Sequence, residues 1–139
     1  MRNQVILFLL FVPALSFANP KDLGALKLES QKAREELAKE KSFEKISKKL
    51  KDFEASINAT IKDYEKANPK EGDANEEKVV KFSYRFEPLF ALTRTKPDKT
   101  TCEKTRGRIE FEDLSGKEED APLSENAEEA LKWLPLLCE

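Results

Sequence analysis

Glu110, Glu112 and Asp113 lie close enough along the chain to be considered together for acid–base work. Two carboxylates of differing pKa on or beside a strand could support a hydrolysis of the glycosidase type. That is the remotest reading, because 27 Asp and Glu in 139 residues place acids side by side by chance. Other catalytic parts are missing. The chain has no His, so it lacks the commonest general base, nucleophile partner and metal ligand. Gly24, Gly72, Gly107 and Gly116 are each isolated, and no glycine-rich phosphate loop exists. The acids near Gly72 and Asp73 do not follow the alternate oxygen-ligand spacing of a calcium loop. A non-enzymatic protein without metal or cofactor is the expectation.

Cys102 and Cys138 are the two cysteines. Redox-active pairs usually sit as Cys-x-x-Cys, and these are far apart. They read as one structural disulfide if the chain reaches an oxidising compartment. Closing a loop of about 36 residues would contribute roughly 3–4 kcal/mol by the chain-entropy argument.

The N-terminal residues supply that compartment. Arg2 precedes an apolar run from Val5 to Val12, which resumes after Pro13 at Ala14 and Leu15. Small residues at Ser16 and Ala18 flank Phe17. This order of positive, apolar and small residues is that of a cleavable secretory signal peptide over 1–18. The run is shorter than the roughly 20 apolar residues needed to span a bilayer. The mature chain, beginning near Asn19, is expected to be exported to the periplasm or secreted, with no transmembrane anchor.

Charge narrows the partners. Lys and Arg number 25 against 27 acids, a net charge of -2, and basic residues are interleaved with acidic ones. A nucleic-acid binder would show a net basic face. Lys104, Arg106 and Arg108, around Gly107, could form a small anion site or simply a charged strand edge.

The elements that would carry these residues follow from periodicity. Leu23, Leu26, Ala33 and Leu37 recur at helical spacing, with Ser30 in one intermediate slot. Phe43, Ile46, Leu50, Phe53, Ile57 and Tyr64 form a stronger stripe, with Thr60 in the remaining slot. Steps of three and four make this a heptad seam. The six-residue step from Leu37 to Phe43 shifts the phase. One long amphipathic helix, kinked near residue 40, accommodates it. A break capped by Ser42, with the two halves folded back antiparallel, is the alternative. Residues 68–78 read as a loop around Pro69 and Gly72.

Val80, Phe82, Tyr84 and Phe86 alternate with polar residues as a strand does, although Val79, Phe82, Phe86, Leu89 and Phe90 also fit a helix. Pro88 tilts the choice toward a strand. Thr95 to Lys99 reads as a turn. Ile109 and Phe111 suggest a second strand over 105–112, pairing with the first as an antiparallel hairpin. A last helix runs from Ser124, its N-cap, to Leu134, with Pro135 as its stop.

The expected fold is therefore α+β. One exported domain spans 19–139: a helical segment over 19–67, a loop over 68–78, and a disulfide-stapled segment over 79–139. In it the long helix packs on a small hairpin and a short C-terminal helix; an all-α bundle is the alternative. The aromatic row of Phe82, Tyr84 and Phe86 is expected in the core. Trp133 is a candidate interface anchor or a packing partner of the disulfide. The seam residues Phe43, Ile46, Leu50, Phe53, Ile57 and Tyr64 could pack internally or join two chains. Together these features suggest an exported binding or interaction module with an accessory, chaperone-like or inhibitor role. It would act through a protein partner or self-association. The alternative is an oligomeric, envelope-associated structural protein assembled through the seam. Mass spectrometry of the exported form is expected to give an N-terminus at Asn19; an intact Met1 would refute the cleavage.

Overall fold

The computed structural model describes residues 20–67, 74–114 and 121–139, leaving out the side chains of 111–114 and 121–125. The proposed signal peptide lies outside the described residues. Helices α1 (Leu23–Glu36), α2 (Phe43–Ala67), α3 (Ala74–Phe90), α4 (Lys99–Leu114), α5 (Ala121–Leu131) and α6 (Leu134–Cys138) make up the fold. A 3-10 turn, Ala91–Thr93, follows α3. Among the described residues there is no strand. The α+β expectation is thus overturned in favour of an all-α bundle.

The single long helix is also replaced. Asp22 caps α1 by accepting from the Ala25 amide at 2.8 Å, and α1 ends at Glu36. The Ser42 hydroxyl accepts from the Lys45 amide at 3.3 Å and caps α2. Between them the Glu40 carboxylate accepts from the Lys41 and Ser42 amides, both at 3.1 Å. The Ser42 amide, together with the Lys45 ammonium, holds the Glu40 carboxyl below its usual range. The two helices run antiparallel. Tyr64 donates to the Lys21 carbonyl at 2.9 Å, Ser56 to Glu29 at 3.0 Å, and Lys49 meets Glu36 at 2.7 Å. The six-residue phase step marks this turn. It lets Leu37 be buried and Phe43 pack against the same core.

The expected hairpin is two helices. In α3 the buried set is Val79, Phe82, Arg85, Phe86, Pro88, Leu89 and Phe90, whereas Tyr84 is 56% exposed. Burial thus follows the 3.6-residue period. Pro88 is tolerated because α3 ends two residues later, so the proline forfeits one hydrogen bond near the helix end while its ring packs inside. The loop expected over 68–78 is shorter, since 74–78 already belongs to α3; 68–73 lie outside the described residues.

The second strand, expected over 105–112, falls inside α4. Thr105 and Ile109, one helical turn apart, are buried on its inner face. Asp98 starts α4 by accepting from the Thr101 amide at 2.7 Å. That amide first, and then the Thr101 hydroxyl, hold the Asp98 carboxyl below its usual range. The cap therefore stabilises the fold above the carboxyl's unfolded pKa and is lost as pH falls through its lowered value.

The last helix begins at Ala121 rather than Ser124, and Pro135 opens α6 instead of stopping α5. Proline suits a first helical turn, where its missing N–H has no intrahelical partner to lose.

Helix α3 packs against α1, α2, α4 and α5, and α6 closes on α2. Phe53 packs edge-on against Phe82 and Phe86, with centroids 6.1 and 5.3 Å apart; Phe86 continues to Phe90 at 5.8 Å. One apolar cluster runs from Leu26 to Leu137.

Gly107 lies exposed inside α4, and a Cβ there would meet nothing within 4 Å. Gly107→Ala is therefore expected to stabilise the fold by about 0.5–1 kcal/mol through helix propensity alone. Urea unfolding checks this; a lowered midpoint would argue against a helix at this position.

Candidate functional site

The residues singled out from the sequence separate into core and surface. In the seam, Ile46, Leu50, Phe53, Ile57 and Tyr64 are all buried, and Phe43 is partly buried beneath the Lys96 ammonium, 5.8 Å from its ring. Thr60 fills the seam's polar slot without an unmet hydroxyl, because it donates to the Ser56 carbonyl at 2.8 Å. The seam is thus occupied by the chain's own α3, α6 and 3-10 turn.

Trp133 is fully buried at the junction of α5 and α6. Its indole N–H donates to Ser30 Oγ at 2.9 Å, and Ser30 donates to Glu129 Oε2 at 2.7 Å. Arg34 grips the same carboxylate with Nε on Oε2 at 2.8 Å and its terminal nitrogen on Oε1 at 3.2 Å. This chain of bonds, charge-assisted at the Glu129 carboxylate, ties α1 to α5. Its sequence signal was Ser30 in an otherwise apolar stripe. Of its distant partners, 99 and 103 residues away, Trp133 stood out in the sequence and Glu129 did not.

Cys102 and Cys138 form the disulfide, with Cα atoms 6.2 Å apart and a sequence separation of 36. It joins the first turn of α4 to the end of α6. Both cysteines are partly exposed. They line an open depression of ≈ 480 Å³ with Lys99, Glu103, Arg106, Leu134, Pro135 and Glu139.

Of the grouped carboxylates, Glu110 is exposed on α4, not on a strand. The Glu112 and Asp113 side chains lie outside the described residues. No group of three or more His, Cys, Asp or Glu able to hold a metal occurs among the described residues. Arg106 and Arg108 are two apart on a helix and do not face each other: Arg106 lines the disulfide depression and Arg108 a different groove.

That second groove has a volume of ≈ 710 Å³ and was not legible in the sequence, because five segments build it. Lys51 and Glu54 come from α2, Glu87 and Phe90 from α3, Ala91 and Thr93 from the 3-10 turn, Arg94 from the following bend and Arg108 from α4. Phe90 and Thr93 are buried, with Thr93 donating to the Phe90 carbonyl at 2.8 Å. Lys51, Arg94 and Arg108 are exposed, and no ion pair among the described residues engages them. The groove thus offers three cationic donors on a rigid floor, with two carboxylates beside them.

No protein-family model matches the chain, and no curated protein or solved structure matches it.

Proposed function

We propose that this chain is an exported, non-enzymatic binding module whose partner is a protein, recognised by charge in the groove of Lys51, Arg94 and Arg108. One observation carries the reading: the apolar seam is consumed by the chain's own core, while exposed cations from three segments, engaged by no ion pair among the described residues, converge on one concave surface. A partner segment bearing carboxylates would pair with these cations, and Glu54 and Glu87 would select against a purely anionic one. Burial of the seam removes the support for assembly through it.

Export rests on the signal-peptide grammar of 1–18, with a periplasmic or extracellular destination. The disulfide is consistent with that, since such bonds persist in oxidising compartments. No described helix is long and apolar enough to cross a membrane.

The test is affinity capture from the native envelope or medium, using the disulfide-intact chain from Asn19 onward and a Lys51→Glu/Arg94→Glu/Arg108→Glu variant. The wild type is expected to retain a protein that salt elutes. The variant, with an unchanged circular dichroism spectrum, is expected to lose at least about tenfold in recovery, equivalent to about 1.4 kcal/mol. Equal recovery by both would exclude the groove as the binding surface.

A further inference from the structure

We infer that the Cys102–Cys138 disulfide is a directional thiol-exchange site: an external thiol attacks Cys138, and Cys102 leaves as the thiolate. The inference is independent of the proposed binding groove, which lies elsewhere and shares none of its lining residues. Access comes first. Both cysteines are partly exposed and line the open ≈ 480 Å³ depression, so a thiol can reach the bond without unfolding the core.

The charged residues nearest in the chain differ between the two cysteines. Cys102 is in the first turn of the 16-residue α4, at the positive end of its dipole, with its amide donating to the Asp98 carbonyl at 3.0 Å. Lys99 and Arg106, three residues before and four after Cys102, share its helix face and line the same depression. Cations and helix N-termini lower a thiol's pKa. Among the neighbouring acids, Glu103 lines the depression, and Asp98 is engaged with the Thr101 amide. Cys138 closes α6 and is followed by Glu139, an acid in the same depression, which disfavours a thiolate there.

In thiol–disulfide exchange the sulfur of lower pKa leaves faster. The attacking thiolate gives its electron pair to Cys138 Sγ and forms a mixed disulfide with it. The Cys102–Cys138 bond breaks, and its electron pair stays on Cys102 as the thiolate. The external thiol is oxidised to the disulfide level and Cys102 is reduced, so the step balances. Leu134, Leu137 and Trp133 remain buried and keep α6 docked, so Cys102 can attack the adduct and expel the external thiol again. The lysine and arginine favour an external thiol that carries carboxylates of its own.

The test uses the folded chain from Asn19 onward, incubated with excess reduced glutathione and quenched in acid. Free thiols are then alkylated and peptides read by mass spectrometry. The expected result is glutathione on Cys138 over Cys102 by at least tenfold, with the alkyl label on Cys102. A Lys99→Glu/Arg106→Glu variant should open at least tenfold more slowly and lose the site preference. Adducts mainly on Cys102, equal adducts on both, a bond that opens only in denaturant, or an unchanged double variant would each overturn the inference.

Discussion

Phe53 packs edge-on against Phe82 and Phe86, joining the middle of α2 to the middle of α3. A 25-residue helix with one apolar stripe cannot bury that stripe alone. Everything else follows from what covers it. Helix α3 does so with its own aromatic face, and it touches α1, α4 and α5 with its other sides. Each fully buried Phe contributes about 1.5–3 kcal/mol, and each edge-on ring pair adds about 0.5–1.5 kcal/mol. The disulfide then fixes α4 to α6, while the Trp133, Ser30, Glu129 and Arg34 network fixes α1 to α5. The network lies inside the core and the disulfide, with both cysteines partly exposed, at its edge.

Some of this was legible in the sequence. The spacing from Phe43 to Tyr64 gave α2 and its buried face, and two cysteines left one intramolecular pairing. The hairpin expectation fails for a specific reason. Phe82 and Phe86 are four residues apart, which puts them on one face of a strand and on one face of a helix alike. Tyr84 and Arg85 distinguish the two: a strand would bury Tyr84 with its neighbours and expose Arg85, and the fold does the reverse. Long-range packing overrode the local preference of Pro88 and of Gly107. The phase step at Leu37 was visible, but whether the chain bends or turns there depended on Glu40 and Ser42 organising the amides of a tight connection.

The candidate sites were less legible, because they are properties of convergence. Lys51, Glu87, Arg94 and Arg108 mean little in sequence order and form one groove only after α2, α3 and α4 have packed. The apolar residues that looked available for a partner proved to be interior. The groove left open by that packing is lined mainly by charged side chains, which fits a salt-sensitive contact better than a hydrophobic one. The disulfide has two parts in this scheme: it staples a polar domain, and it leaves its sulfurs where an external thiol can reach them.

The α2 seam is filled from within one chain. Light scattering coupled to size exclusion, on the disulfide-intact chain from Asn19 onward over a wide concentration range, probes this closure. The mass of one chain is expected at every concentration. A dimer or larger species, or a mass that rises with concentration, would refute it.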